Sequence, residues 1–193
     1  MRVPSIAETE RLINEAEKLN PGLWIAHSKT AGFCAKAIAE KTDILDPNVA
    51  YSLGALHDIG RRYGITDMRH IIDGYKFMLS MGYIDCAKIC ITHSFPYKEL
   101  KSYNGNNDCS EEDIRFIQDY LSTTEYDDYD RLIQLSDAIS FPNGPTYIEK
   151  RLVDVTLRRG FNEYTIQKWK AFLELKNYFD NITGMDIYNL LVM

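Results

Sequence analysis

Apolar residues recur every three or four positions along most of the chain, which is the spacing of amphipathic helices that pack against a core. Ser5 to Glu8 forms a capping-box pattern ahead of a first helix that carries apolar residues to Leu19. A second helix is predicted from about Leu23 to Lys41. No stretch alternates apolar and polar residues over a useful length, so the sequence predicts an all-α fold.

The middle of the chain continues the helical pattern. Asp46-Pro47 favours the start of a third helix, since aspartate caps helices and proline is tolerated in their first turn, and Gly60 is expected to end it. Thr66-Asp67 is expected to cap a fourth helix. A fifth helix is predicted over about Ile84 to His93.

A polar loop is predicted from Phe95 to Ser110, and loops of that length inside compact domains often cover a binding site. Ser110 is expected to cap the next helix. Further helices are predicted over about 128–139, 146–159 and 163–181, with a turn at 141–145.

Length and composition indicate an ordinary globular protein. The 193 residues suit one domain, and 45% of them are hydrophobic and 26% charged. The N-terminus is too acidic for a signal peptide and no stretch suits a membrane span, so we expect a cytoplasmic protein without a membrane partner. The net charge of −6 and the lack of a basic block argue against binding duplex nucleic acid.

The four cysteines, Cys34, Cys86, Cys90 and Cys109, form no CxxC pair, which argues against a zinc ribbon. We expect them to act as small buried apolar side chains. Cys90 lies three residues before His93, so a role as a metal ligand stays open for it.

The chemistry-bearing residues form an ordered series. The pair His57-Asp58 lies in the run Leu56-His57-Asp58-Ile59-Gly60-Arg61, and it is accompanied by every other histidine of the chain and by one aspartate in Leu135-Ser136-Asp137-Ala138. Imidazole and carboxylate suit divalent ions such as Fe, Mn, Co, Zn and Ni. The candidate metal ligands, in chain order, are His27, His57, Asp58, His70, His93 and Asp137.

This series resembles the HD superfamily of metal-dependent phosphohydrolases, over roughly residues 23–140. The His-Asp-Ile-Gly-Arg run, the upstream histidine and the downstream Leu-Ser-Asp-Ala segment carry the resemblance, and His70 and His93 make it similar to the subset that binds two metal ions. Among these, the chain looks like bacterial HD proteins related to symmetrical diadenosine tetraphosphate hydrolases. The resemblance implies a single domain over 1–193, an HD-type helical bundle with additional C-terminal helices, about 146–181, packed on it.

The resemblance also implies how the ligands divide. One divalent transition-metal ion would be held by His27, His57, Asp58 and Asp137, and a second by His70 and His93, with Asp58 bridging the two. A hydroxide between the ions would then attack phosphorus, with Asp58 and Arg61 as catalytic residues. Two divalent ions and two carboxylates leave a net charge near +2, which attracts phosphate oxygens.

Several side chains outside this set could contact a substrate. Arg61, four residues after His57, could bind a second phosphate in bidentate fashion, and a solvent-exposed role is the alternative for it and for Arg62. The remaining candidates are Arg62 for the same contact, Arg151 and Lys98 as outer contacts, and Tyr97 and Tyr103 for stacking on a base or for packing.

The resemblance implies an enzyme that cleaves a phosphoester or phosphoanhydride bond of a nucleotide or another small phosphorylated metabolite. Two alternatives stay open, a di-iron oxygenase with the same six ligands and a catalytically silent nucleotide-binding domain. Aromatic residues at 169, 172, 178 and 179 recur at helical spacing, which fits either core packing or the contact surface of a homodimer.

Overall fold

The computed structural model describes residues 1–191 and confirms the all-α prediction. Its helices are α1 (Ile6–Leu19), α2 (Leu23–Ala39), α3 (Pro47–Leu56), α4 (Arg69–Ser80), α5 (Ile84–Thr92), α6 (Glu111–Thr123), α7 (Asp128–Ala138), α8 (Ile148–Arg159), α9 (Thr165–Thr183) and α10 (Ile187–Leu190). Short 3₁₀ turns lie at Ile59–Tyr63 and Leu100–Ser102. The predicted turn after α7 contains two paired strands, β1 (Ser140–Phe141) and β2 (Gly144–Pro145), which are antiparallel and too short to leave an alternating pattern.

One apolar core joins the first helices to the last ones. Its buried members include Leu12 of α1, Leu53 of α3, Ile133 of α7, and Phe172 and Phe179 of α9. The partly buried aromatic residues at 169 and 178 pack against the same core. Core packing therefore accounts for all four aromatic positions, and they provide no evidence for a dimer surface.

Helices α2 and α3 cross in close backbone contact at Gly54. A Cβ atom on Gly54 would lie 2.9 Å from the carbonyl oxygen of Ala31 and 2.9 Å from the Cα of Gly32. Only glycine permits this approach without displacing a neighbour. The crossing places the imidazole of His27 5.2 Å from that of His57, centroid to centroid.

The end of α3 differs from the prediction. The helix ends at Leu56 rather than at Gly60, His57 is its C-terminal cap, and Asp58 leaves the helical conformation at φ −101°, ψ 13°. The carbonyl of Gly54, one of those left free at a helix end, lies 2.6 Å from Nδ1 of His57. A side-chain bond thus takes the place of a further helical turn, and the chain continues as the 3₁₀ turn.

Gly60 lets this 3₁₀ turn lie against the first turn of α4. A Cβ atom on Gly60 would overlap the carbonyl oxygen of His70 and the amide nitrogen of Gly74. The absence of a side chain at position 60 therefore allows His70 to reach the His57-Asp58 pair.

The predicted Thr66-Asp67 cap of α4 is wrong. The helix begins at Arg69, with Met68 as its N-cap residue. Neither Thr66 nor Asp67 caps it with a side chain. The carboxylate of Asp108 accepts hydrogen bonds from the amides of Asp67 (2.8 Å) and Arg69 (2.7 Å). The cap comes from the 95–110 loop, and no local pattern can indicate a partner about forty residues away.

The predicted caps at Ser5, Asp46 and Ser110 are confirmed, because each side chain accepts a hydrogen bond from a first-turn amide.

Helices α5 and α7 are joined by buried polar contacts in which Thr92 Oγ1 donates to Asp130 Oδ1 at 2.7 Å. This contact joins the end of α5, just before His93, to the first turn of α7, the helix that carries Asp137. Among residues 1–191, no helix is long and apolar enough to cross a bilayer.

Replacing Gly60 with alanine should destabilise the fold by about 1–3 kcal/mol, because the added methyl must displace the backbone of α4. Urea unfolding monitored by circular dichroism measures this change. Gln118→Ala, on the exposed face of α6, is the control and should stay within about 0.5 kcal/mol of the original chain. Equal stability of the two variants would contradict the close packing at Gly60.

Candidate metal centre

Five helices bring the six candidate ligands to one place. α2 carries His27, α4 carries His70 and α7 carries Asp137, while the other three residues follow the ends of α3 and α5. Asp137 is partly exposed and the other five are buried. In each of three overlapping groups the potential ligand atoms lie within 4.8 Å of one another; the groups are His27-His57-Asp58, His57-His93-Asp137 and Asp58-His70-His93.

The two carboxylates occupy the centre of the cluster. His70 Nε2 lies 3.0 Å and His93 Nε2 3.6 Å from Asp58 Oδ1. His27 Nε2 lies 3.0 Å from Asp137 Oδ1. His57 Nε2 lies 3.9 Å from Asp58 Oδ2 and 3.9 Å from Asp137 Oδ1, so it faces both carboxylates.

The far side of every imidazole faces a backbone carbonyl oxygen. The Nδ1 partners are Ser140 for His27 (3.1 Å), Gly54 for His57 (2.6 Å), Asp67 for His70 and Ile89 for His93 (3.1 Å). A carbonyl oxygen only accepts hydrogen bonds, so each Nδ1 carries the proton and donates it. The lone pair of each neutral imidazole is therefore on Nε2, which faces the cluster, as metal-binding histidines require.

This donor set fits a metal ion. Nε2 of His57 and Nε2 of His70 are fully buried and make no hydrogen bond within residues 1–191. A buried polar atom without a partner costs about 1–3 kcal/mol, and a cation at the lone pair would remove that cost. Nitrogen and oxygen donors without cysteine suit Fe, Mn, Co, Zn or Ni.

The local charges keep both carboxylates ionised. Burial acts to raise the pKa of Asp58, but the opposing effects, led by the charge of Arg61, outweigh it and hold that pKa well below its usual value. At Asp137 burial also acts to raise the pKa, but the net direction is again downward, and Arg151 is the cation beside it that acts in this direction. Both groups are therefore anionic at neutral pH.

Burial has the opposite consequence for the histidines, because it favours the neutral ring. It lowers the pKa of His57, and the nearby aspartates offset this only in part. Burial lowers the pKa of His93 to about 3. These imidazoles are neutral near pH 7, so their lone pairs are available to a metal ion without prior loss of a proton.

A cavity of about 340 Å³ lies over the cluster, and five of the six candidate ligands line it. Leu23, Trp24, Trp169 and Phe172 form an apolar wall. Cationic side chains also line the cavity, and they are Arg61, Arg151, Arg158, Arg159 and Lys168. The cavity thus combines a candidate metal centre, an apolar wall and a positive lining.

Two of the arginines predicted as substrate contacts reach this cavity. Arg61 Nε donates to Asp58 Oδ2 at 2.6 Å, and Arg61 Nη1 donates to the carbonyl of Thr66 at 3.1 Å. Arg151 Nη2 lies 3.9 Å from Asp137 Oδ1. Each arginine therefore lies beside one of the two central carboxylates.

Other predicted contacts lie elsewhere. The guanidinium of Arg62 lies 3.9 Å from the ring centroid of Phe77, away from the cavity. The Lys98 ammonium lies over the ring of Tyr126, and Tyr97 packs near Tyr164.

Tyr103 does line the cavity, with its ring 6.5 Å from that of His70, centroid to centroid. The thiols of Cys34, Cys86 and Cys90 are buried, and no cysteine belongs to a metal-ligand group within the described residues.

Lys168 is a cavity residue that the sequence did not indicate. It lies on α9, 7% exposed, and its Nζ donates to the carbonyl of Ser102 at 3.2 Å. Burial lowers the pKa of Lys168 to about 8. A lysine on an amphipathic helix is usually solvated, so only the packing of α9 over the cavity distinguishes it.

Replacing Lys168 with methionine should stabilise the fold near pH 7 by about 2 kcal/mol, since the buried charge costs more than its one hydrogen bond contributes. The folded pKa of about 8 lies below the ordinary value of 10.5, so the unfolded chain binds more protons between them. The cost is full below pH 8 and disappears as pH rises to about 10.5. Urea unfolding of both proteins from pH 7 to 10.5 should show their stabilities converging, and a constant difference would contradict a desolvated ammonium.

Comparison with protein families agrees with the cluster of candidate metal ligands in the structure. A family model described as HD domain matches residues 24–141, which is more than half of the chain and contains all six candidate ligands. Neither a curated protein sequence nor a solved structure matches the chain at a significant level. HD domains bind divalent metal ions and form a superfamily of phosphohydrolase type. The chain therefore belongs to the HD-domain family.

Proposed function

We propose that this HD protein is a two-metal phosphohydrolase that cleaves a phosphoester or phosphoanhydride bond of a nucleotide or another small phosphorylated metabolite. One observation carries the proposal. Four imidazole Nε2 atoms and two carboxylates converge beneath a cavity lined by five cationic side chains. A phosphate ester is the common metabolite that matches both a cation centre and a cationic lining.

The ligand groups suggest how two ions would be held. His27, His57, Asp58 and Asp137 would bind the first, and His70 and His93 the second, with Asp58 between them. When bound, such ions supply Lewis acidity to a phosphoryl oxygen and to the attacking water. Their identity lies among Fe, Mn, Co, Zn and Ni by ligand type.

Arg61 would orient both a ligand and the substrate. Its Nε and Nη1 are held by Asp58 and by the carbonyl of Thr66, and within residues 1–191 its Nη2 makes no hydrogen bond. That N–H group is available to a phosphate oxygen in the cavity. The pKa of Arg61 is raised because the charge and hydrogen bond of Asp58 outweigh the effect of burial, so the guanidinium stays charged.

Arg151 and the apolar wall would hold the rest of the substrate. The Arg151 guanidinium lies near Asp137 on one side and 3.8 Å from Asp154 on the other, so it faces the cavity in a defined orientation. Trp24, Trp169 and Phe172 offer aromatic surface on which a nucleobase can stack. These features support a nucleotide over an unsubstituted sugar phosphate.

Purified protein should contain about two transition-metal ions per chain, and His57→Ala should reduce the content by at least one. His57 faces both carboxylates, so its loss removes a donor from the middle of the cluster. Plasma mass spectrometry measures the content, with Gln118→Ala as the matched surface control. An unchanged metal content in folded His57→Ala would remove His57 from the site.

Protein loaded with Mn, Fe or Co should release phosphate or a nucleotide from a panel of phosphorylated substrates. Asp58→Asn should lower kcat by at least about 100-fold, because even residues that only support metal ligands contribute 10- to 100-fold. Malachite-green and chromatographic assays measure the products.

Two outcomes would replace the proposal with one of its alternatives. Oxygen uptake without phosphate release from the iron-loaded protein would indicate the oxygenase. Tight nucleotide binding without turnover in every metal form would indicate a binding domain.

A further inference from the structure

The start of α4 is held from several directions through Asp67. Its backbone amide donates to the carboxylate of Asp108 at 2.8 Å, and its backbone carbonyl accepts the Nδ1 proton of His70. Its side-chain carboxylate accepts a hydrogen bond from the amide of Asn106 at 3.1 Å. The residue that orients the ring of one candidate ligand is thus itself positioned by contacts from elsewhere in the chain.

Asp67 differs from the other three residues whose carbonyls accept an Nδ1 proton. Gly54 and Ile89 lie within helices α3 and α5, and Ser140 lies in strand β1, so regular elements set where their carbonyls point. Asp67 lies before α4, in the segment 64–68, which belongs to no helix or strand. The orientation of His70 therefore depends on the tertiary contacts that hold this segment.

Arg159, the last residue of α8, provides one of these contacts. Its Nη1 donates to Oδ2 of Asp67 at 3.3 Å, and its Nη2 lies 2.9 Å from Oδ1, so both terminal nitrogen atoms face the carboxylate. A guanidinium and a carboxylate in such a two-point arrangement fix each other's orientation as well as their separation. Arg159 lies beyond the family match, which ends at residue 141, so this contact joins α8 to the matched part of the chain.

The geometry favours a positioning role for Arg159 over direct contact with a substrate, because both of its terminal nitrogen atoms face Asp67. The adjacent Arg158 provides a contrast. Its Nη2 lies 2.8 Å from Asp154 on the same helix, and within residues 1–191 no carboxylate of another element lies within 4.0 Å of its guanidinium. Of these two neighbouring arginines, Arg159 is the one that reaches the segment behind a candidate ligand.

We propose that Arg159 is a positioning residue for His70. By holding Asp67, it keeps the carbonyl of that residue aimed at Nδ1, and it thereby keeps Nε2 of His70 beside Asp58 Oδ1, 3.0 Å away. The inference rests on the two-ion centre of the proposed function, in which His70 holds the second ion. Because coupling between two binding events is reciprocal, the last turn of α8 should also be attached more firmly when that ion is bound.

Calorimetric titration of the chelator-treated protein with Mn²⁺, without substrate, tests this inference. We expect two binding events in the wild-type chain. Arg159→Met and Arg159→Gln should weaken one of them about tenfold and leave the other within about twofold, because groups that orient a ligating histidine contribute roughly 10- to 100-fold to metal affinity. Arg158→Met is the matched control, and it should keep both affinities within about twofold because its half-exposed charge is screened by salt.

His70→Ala supplies a measurement that a general effect on the fold would not pass. This variant should bind one Mn²⁺ ion, and adding Arg159→Met to it should leave that affinity unchanged, since the ring that Arg159 positions is absent. A remaining ion that is weakened about tenfold in the double variant would show that Arg159 acts on the whole site, and the positioning role would be wrong.

The outcomes separate this inference from the proposed function. A wild-type chain that binds two Mn²⁺ ions, with both affinities unchanged in folded Arg159→Met and Arg159→Gln, would overturn the positioning role and leave the two-metal centre intact. A wild-type chain that binds one Mn²⁺ ion or none would instead overturn the two-metal centre, and the inference with it.

Discussion

The whole site depends on one kind of hydrogen bond, from a histidine Nδ1–H to a backbone carbonyl oxygen. Three of the four acceptors are the carbonyls of Gly54, Asp67 and Ile89. Each lies three or four residues before its histidine, close to the end of a helix. Each bond fixes the ring and its tautomer, so four Nε2 lone pairs meet in a buried space. The helix ends thereby determine the donor set as much as the histidines do.

The surrounding charges give that donor set its chemistry. Arg61 lies beside one carboxylate and Arg151 beside the other, and both carboxylates remain ionised although they are buried. The matched family region contains the six candidate ligands, whereas α8 and α9 supply most of the positive lining. Under the proposed function, this division would combine a metal centre of the HD family with a cavity whose charge suits phosphorylated compounds.

Helix periodicity and local caps predicted the helical fold, because both are local patterns. The six candidate ligands were singled out by the order of the His-Asp series and its resemblance to a known family. Prediction from the sequence failed where partners are distant along the chain. Asp108 caps α4 from a loop, and Lys168 reaches the cavity only through the packing of α9. Arg62 shows the same limit, since its stacking on Phe77 depends on how the 3₁₀ turn meets α4. Adjacent residues with identical side chains cannot be separated by pattern alone.

Anomalous diffraction from crystals grown with manganese or cobalt tests the central claim most directly. Two anomalous peaks about 3.5–4 Å apart are expected, each contacted by Nε2 atoms, with Asp58 between them. A map without a peak among the four imidazoles would contradict that claim, and so would a metal ion bound through Nδ1.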